Sequence, residues 1–240
     1  MGKFNVKLVN SWEEAEATLG FFIQKPPEFS FNPGQYADLT LLNPPETDEE
    51  GNTRTFSIAS APYEPNLRFA TRIRDTAFKR VLRALPIGAE ISVSEPMGSF
   101  TLHKNPRKPG IFLAGGIGIT PFFSIILQAA RDRQPHQLRL FYSNRRPEDT
   151  AFMKQLREAA EANPNIQIIP TMTDMPKSRH TWGGETGFID RGMLARHLPA
   201  LNGPVYYIAG PPSMVDAMRK MLLEAGVDED DIRSEEFDGY

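Results

Sequence analysis

The stretch IFLAGGIGITPFFSIIL, Ile111 to Leu127, limits what this chain can fold into more than any other. An apolar run breaks into glycines and then resumes as an apolar run, which reads as strand, tight turn and helix. Gly115, Gly116 and Gly118 allow positive φ and close backbone approach, and Thr120 and Pro121 open the next helix. Helix-start N–H groups and the helix dipole at such a turn favour an anion such as a pyrophosphate. The turn reads G-x-G-x-x-P where the common dinucleotide fingerprint has a third glycine, and it lies mid-chain. Alone, it leaves open a turn that is merely tight. A companion strengthens it: YYIAGPPSMVDAM, Tyr206 to Met218, is a second apolar strand ending in Gly210-Pro211-Pro212 before a helix. In a parallel sheet both turns fall at the carboxyl ends of strands, on the edge where ligands bind.

Around these turns the pattern is strand then helix, repeated. Ile111–Leu113 is followed by Pro121–Arg131, Leu138–Tyr142 by Asp149–Ala162, then Ile166–Pro170, and Val205–Ile208 by Pro212–Ala225. Such alternation predicts a parallel sheet flanked by helices, over residues 106–240. Residues 1–105 follow a different grammar. Phe4–Val9, Thr18–Gln24, Tyr36–Leu42, Arg54–Ile58, Leu67–Arg74 and Glu90–Glu95 read as short strands separated by Pro, Gly and Asn clusters. One helix, Thr76–Leu85, stops at Pro86. The expectation is a two-domain protein, an antiparallel β-barrel followed by an α/β domain, joined by a linker at His103–Gly110. The loop Pro44–Asn52, with Glu46, Asp48, Glu49 and Glu50, is expected to be acidic and mobile.

Composition removes several function classes. With 27 Lys+Arg against 30 Asp+Glu the net charge is −3, so no global field draws the chain to nucleic acid or membrane. There are no cysteines, which excludes disulfides, thiolate metal sites and a Cys nucleophile within this chain. Glu13, Glu14 and Glu16 interrupt any signal-peptide core, and no run approaches the ~18 apolar residues of a membrane span. A soluble, cytoplasmic protein is expected. His103, His136, His180 and His197 lack metal-ligand spacing and read as surface or loop residues, so no metal site is expected. Arg72, Arg74, Lys79, Arg80 and Arg83 form a basic cluster with little aromatic interleaving, which argues against RNA.

The segment RTFSIAS, Arg54 to Ser60, has two readings. Ordinary strand alternation puts Phe56 and Ile58 in the core and leaves Arg54 and Ser57 at the surface. The other reading comes from a family. Arg54-Thr55-Phe56-Ser57, the Pro96–Phe100 loop, the Ala114–Pro121 turn, the Gly210–Met214 turn and an aromatic C-terminus occur in that order. Together they resemble the ferredoxin–NADP reductase superfamily of flavin-dependent oxidoreductases, over nearly the whole chain.

The resemblance implies an FAD-binding barrel, a nicotinamide-nucleotide domain and a site in the cleft between them. Arg54 matches the arginine that pairs with the flavin pyrophosphate. Thr55 and Phe56 continue that strand, with Phe56 where the family usually has a tyrosine stacked on the isoalloxazine. Ser57 matches the serine hydrogen-bonded to flavin N5, and is the expected catalytic residue. Thr71, Arg72, Ile73 and Arg74 match the strand beside the phosphoribityl chain. Gly115, Gly116, Gly118, Thr120, Pro121, Gly210 and Pro211 would hold the nicotinamide nucleotide. Phe237 or Tyr240 would cover the exposed flavin face, a frayed tail being the alternative.

Two departures stand out. Where relatives often have G-x-x-Ser/Thr at the barrel helix, this chain has Thr76-Ala77-Phe78-Lys79, so Lys79 replaces a hydroxyl with a charge or is simply solvated. Ala209 stands where many relatives have a cysteine near the nicotinamide. Arg145 and Arg146, after the strand LRLFYS, with Lys177 and Arg179 farther on, tilt the expectation towards NADPH over NADH. The implied function is hydride transfer from NAD(P)H to FAD by a stand-alone oxidoreductase without a fused iron–sulfur domain. Its electrons pass to a separate acceptor, whether protein, small molecule or dioxygen. A non-catalytic electron-transfer or regulatory subunit of a larger redox complex is the alternative.

Overall fold

Alternating apolar residues in the first part of the chain form a six-stranded antiparallel sheet in the computed structural model, which describes residues 2–237. Its strands are β1 (Lys3–Ala15), β2 (Thr18–Gln24), β3 (Tyr36–Leu41), β4 (Thr53–Ser57), β5 (Asn66–Arg72) and β6 (Glu90–Ser94), in the spatial order β4-β3-β6-β1-β2-β5. β1 runs well past the expected Val9. A bulge between Leu8 and Asn10 bends it, so that its start pairs with β6 and its end with β2. The two edges meet beyond β4, where Ala59 N–H donates to Arg68 O at 2.9 Å and Arg68 N–H to Ser60 Oγ at 3.0 Å. That contact turns the sheet into the expected barrel, filled by Phe21, Ile23, Leu39, Phe69, Ile91 and Val93.

Helix α1 (Ala77–Ala84) buries Phe78, Val81 and Leu82 against this core. The Thr76 hydroxyl caps it by accepting from Lys79 N–H at 3.4 Å, and the helix ends just ahead of Pro86.

The remaining strands are β7 (Gly110–Gly115), β8 (Leu138–Asn144), β9 (Ile166–Met172), β10 (Glu185–Thr186), β11 (Val205–Gly210) and β12 (Ile232–Glu236). They form a second six-stranded sheet, parallel throughout, in the order β10-β9-β8-β7-β11-β12. Helices α2 (Ile119–Arg131), α3 (Met153–Ala162), α4 (Arg191–His197) and α5 (Pro212–Glu224) connect and cover it. The chain leaves β7 towards β8 and returns to β7's other side at β11, so the sheet reverses direction at β7. Ligands of open α/β sheets bind outside the strand ends at such a reversal. α2 is apolar on nearly every side, with Phe122, Phe123, Ile125 and Ile126 buried, as befits a helix wedged between sheet and barrel.

Two expectations are corrected. α3 begins at Met153 rather than Asp149, because Arg146 and Asp149 close a 3₁₀ turn over Pro147–Asp149 and Phe152 takes a φ of 60°. His103 and His136 are buried, not surface residues. His103 Nε2 donates to Lys108 O at 2.9 Å, its Nδ1 accepts from the Tyr207 hydroxyl at 3.0 Å, and His136 Nε2 donates to His103 O at 3.0 Å. The loop Pro44–Asn52 pairs three of its carboxylates with barrel cations, as described below. Among the described residues, no helix is long and apolar enough to cross a membrane.

Candidate functional site

The glycine turns end adjacent strands. β7 and β11 are paired with Ala114 opposite Ala209, so Gly115 and Gly210 leave the sheet side by side. A Cβ on Gly118 would lie 2.3 Å from Ala209 O and 2.7 Å from Gly210 N. Its φ of −60° suits any residue, so Gly118 is required purely by close packing of one turn on the other. Gly116 does need its freedom, with φ at 50°. The structure thus brings Gly115, Gly116, Gly118, Thr120, Pro121, Gly210 and Pro211 together on one edge. Thr120 is turned inward, donating to Ile117 O at 3.1 Å.

The tail joins this edge. β12 lies parallel to β11, and Phe237 N–H donates to Gly210 O at 3.0 Å. The Phe237 side chain packs against the core cluster that contains Ala209, Ile117 and Ala59. Tyr240 lies outside the described residues.

On the barrel, Arg54 leaves β4 towards the start of α1, and its guanidinium lies 5.2 Å over the Phe78 ring. It is held by the acidic loop: Arg54 Nη2 donates to Asp48 Oδ1 at 3.1 Å and pairs with Glu50 Oε2 at 2.8 Å. The other Asp48 oxygen accepts from Ala77 N–H at 3.0 Å, at the N-terminus of α1. An anion therefore bridges the guanidinium and the helix-start amide. Lys79 is half-buried here, and burial, then the charges of Arg74 and Arg54, push its ammonium below the ordinary lysine value. Lys79 thus stands within reach of the Arg54 and Arg74 charges.

Phe56 is buried among Phe21, Phe69 and Phe78, as plain strand alternation expects. Ser57 is also buried, where that alternation would have left it at the surface. Thr55 hydrogen-bonds Asp38 on the exposed side. Thr71 is buried on β5, and Ile73 N–H donates to Ala17 O at 2.8 Å.

The two halves of the site are fastened to each other. Ser124 on α2, the helix that follows the glycine turn, donates to Ser60 O at 2.7 Å in a buried bond. RTFSIAS is thereby attached to the helix of the glycine turn. Arg72 forms a second tie: it donates to Thr18 Oγ1 at 2.6 Å and Glu16 O at 3.2 Å on the barrel, and to Asp149 O at 2.8 Å beyond β8. Arg68 forms a third, its guanidinium lying near Phe22, Phe123 and Phe152 while pairing with Glu64.

The arginines after β8 differ from one another. Arg146 is bound by Asp149 at 2.7 Å and by Glu16 at 3.2 Å. Lys177 pairs with Asp174 and Arg179 with Glu16. Arg145 is exposed.

One residue that sequence reasoning passed over is Glu235. It lines a cavity of about 650 Å³ with Tyr36, Gly98, Ser99, Phe100 and Arg233, between barrel and tail. Burial pushes its carboxyl up to about 7. β12 reads IRSEE, too polar to announce a strand, so nothing in the sequence placed Glu235 indoors.

Comparisons with known proteins show what the chain is similar to. Residues 112–220 match the oxidoreductase NAD-binding domain. The chain is similar to the glycine betaine monooxygenase reductase subunit of Chromohalobacter salexigens, 27% identical over 98% of this chain and 64% of that protein. It is also similar to the anthranilate 1,2-dioxygenase electron transfer component of Acinetobacter baylyi, 30% identical over 88% of this chain and 59% of that protein. The chain thus spans about three fifths of the length of these relatives. Among solved structures it superposes on the Amycolatopsis cytochrome P450 reductase GcoB with a TM-score of 0.82 at 21% identity, over 98% of this chain and 70% of that one. It superposes on a ferredoxin NADP+ reductase from Neisseria gonorrhoeae, with bound FAD and NADP, with a TM-score of 0.79 at 21% identity. That match covers 98% of this chain and 99% of the other. The barrel followed by a parallel sheet is shared with both.

Proposed function

We propose, from the premise that this chain is ferredoxin–NADP reductase-like in sequence and fold, that it is an FAD-dependent NAD(P)H oxidoreductase. It would deliver its electrons to a separate acceptor. The observation that carries this reading is the junction of its two motifs. The glycine turn at the sheet reversal and the RTFSIAS strand meet through the buried Ser124–Ser60 bond, so a ligand on one edge adjoins a ligand on the other.

The residues present fit both groups. At the barrel a guanidinium and a helix-start amide already share a carboxylate, the same donor set that a diphosphate requires. At the sheet edge, the glycines let the two turns pack directly on each other at the strand ends, the edge where nucleotides bind in such sheets. FAD, when bound, supplies hydride acceptance and onward electron release.

The protein's own groups bind and orient. Arg54, the Ala77 amide and Lys79 hold the diphosphate. Phe56, enclosed by Phe21, Phe69 and Phe78, would stiffen the barrel wall beneath the ring system, and Ser57 would offer a hydroxyl at its edge. Gly115, Gly116, Gly118, Thr120, Pro121, Gly210 and Pro211 seat the nicotinamide nucleotide, and Phe237, beside Gly210, shields the reacting face from water. The named relatives are a reductase subunit and an electron transfer component of oxygenases, which favours a redox protein as acceptor. Protein purified with added FAD should retain it through gel filtration, release authentic FAD on heating, and reduce ferricyanide with NADH or NADPH. A colourless product inert with both nucleotides would leave the regulatory-subunit alternative.

A further inference from the structure

The acidic loop Pro44–Asn52 commits three of its four carboxylates, Glu46, Asp48 and Glu50, to barrel cations. Glu46 binds Arg80 at 2.8 and 3.0 Å, and Glu50 binds Arg54 at 2.8 Å. Asp48 binds Arg54 with one oxygen and the Ala77 amide with the other. The loop's main chain adds to the grip, since Arg54 Nη1 donates to Glu50 O at 2.9 Å and Gly51 O at 3.0 Å. Ordinary surface pairing does not require this arrangement. A lone ion pair needs no helix N-terminus, and a cap for α1 is already supplied by Thr76. Asp48 instead sits where two favourable influences for an anion converge, the Arg54 guanidinium and the start of the α1 dipole, while the Lys79 ammonium feels the charges of Arg54 and Arg74.

We propose that Asp48 is an internal stand-in for the cofactor's diphosphate, so that the loop Pro44–Asn52 closes the barrel's anion seat and is displaced when FAD loads. This rests on the flavin reading above and extends it to how the cofactor enters. Asp48 and a diphosphate make the same contacts, so the seat holds one or the other. A diphosphate carries more charge and more acceptor oxygens than a carboxylate, and it engages Lys79 and Arg74 as well, so it wins the exchange. The pairs to be broken are exposed or partly exposed, and such pairs are individually weak, which keeps the loop releasable. Two consequences follow: the loop lowers cofactor affinity and slows loading, and it keeps Arg54, Lys79 and Arg74 from repelling one another before FAD arrives.

The test compares wild type with Asp48→Asn, Glu50→Gln and, as a control in the same loop, Glu49→Gln, whose side chain is exposed. Apoprotein is titrated with inorganic pyrophosphate by calorimetry and mixed with FAD in a stopped-flow fluorimeter. Asparagine keeps the shape of Asp48 and an acceptor for the Ala77 amide, so the loop retains its fold while losing its charge. We expect Asp48→Asn to bind pyrophosphate and FAD about three- to tenfold more tightly and to load FAD faster. Glu50→Gln should do so more weakly, and Glu49→Gln not at all. Unchanged or weaker binding of both probes by Asp48→Asn, with circular dichroism as in wild type, overturns the stand-in. The pyrophosphate arm separates this from the function itself. If wild type takes no FAD but Asp48→Asn gains pyrophosphate affinity, the seat and its stand-in hold while the flavin reading fails. If neither protein binds pyrophosphate, the seat does not exist.

Discussion

On the parallel-sheet edge, a ligand would meet main chain. Gly115, Gly118 and Gly210 lie so close that an added Cβ would strike backbone or Met214, and the neighbouring side chains are apolar. On the barrel edge it would meet long charged side chains, Arg54, Lys79 and Arg74, and the first of these is already held by Asp48 and Glu50. The glycine edge is fixed by sterics: an added Cβ would lie 2.4 Å from Met214 at Gly115, 2.3 Å from Ala209 O at Gly118 and 3.2 Å from its nearest neighbours at Gly210. The cationic edge is adjustable, because each contact is an exchangeable ion pair that salt and competing anions can weaken. Substitutions should therefore act through packing on one side and through charge on the other.

The largest effect is expected at the glycine edge. Gly118→Ala forces the Gly115 and Gly210 turns apart, since the new Cβ would sit 2.3 Å from Ala209 O. We expect a loss of about 1–3 kcal/mol in urea unfolding and loss of nicotinamide-nucleotide binding, with bound flavin retained. A variant as stable as wild type that still binds nucleotide would show the two turns to be more loosely packed than the structure has them.

Next is the joint between the halves. Arg72→Ala removes the donor shared by Thr18, Glu16 and Asp149, and should cost about 1.5–3 kcal/mol by thermal unfolding. Arg72→Lys should recover only part of it, because one ammonium cannot span both sides as the guanidinium fork does. Full rescue by lysine would assign Arg72 to charge alone.

Acid and base probe two other places, with opposite signs. Glu235 has its folded value raised from 4.5 to about 7, so the folded form keeps a proton that the unfolded chain releases. Raising pH from 4.5 to 7 therefore costs stability, and the cost is complete above 7. The ceiling is about 3 kcal/mol; Glu235 is only half-buried, so solvent screens it, and Glu235→Gln should gain about 1 kcal/mol at pH 8 and almost nothing at pH 4.5. His103 is lowered from 6.5 by burial first and by the nearby His136 and Arg233 charges. Its contribution is full above 6.5 and is lost as pH falls through the lower folded value. His103→Gln should flatten the acid limb of the stability curve and leave the alkaline limb untouched. Chemical denaturation across pH 4–9 reads both.

The smallest effect concerns nucleotide choice. Arg146 is occupied by Asp149 and Glu16, so Arg145, which is exposed, is the better candidate for a 2′-phosphate. Arg145→Ala should lower kcat/KM for NADPH about two- to fivefold and leave NADH unchanged. Arg146→Ala should instead lower stability and affect both nucleotides alike.

What could be read in advance follows the same division. Glycine turns and strand periodicity are local, so the two-sheet fold and the paired turns at Gly115 and Gly210 were legible from the sequence. Elements whose apolar content is small were not. β12 is IRSEE and β10 is two residues long, and each exists because a neighbouring strand supplies its hydrogen bonds; α4, with Gly192 in a short run, starts at Asp190, whose side chain accepts from Met193 N–H. Side-chain partnerships across long sequence gaps were equally hidden. Arg80 with Glu46, Arg72 with Asp149 and His103 with Tyr207 are chosen by tertiary distance, and no spacing rule announces them. The acidic loop reads as mobile because nothing local shows that its carboxylates find Arg54, Arg80 and the start of α1.

The central claim is that the two edges work on one electron path, with nucleotide on the glycines and flavin on the barrel. It is tested most directly by anaerobic titration of the FAD-loaded protein with NADH and, separately, NADPH, following flavin absorbance. The account predicts a yellow protein whose visible band bleaches with about one equivalent of the preferred nucleotide, in a reaction that Ser57→Ala slows while leaving flavin content unchanged. A flavin that stays oxidised in excess NADH and excess NADPH, or a protein that takes up no FAD, would contradict it.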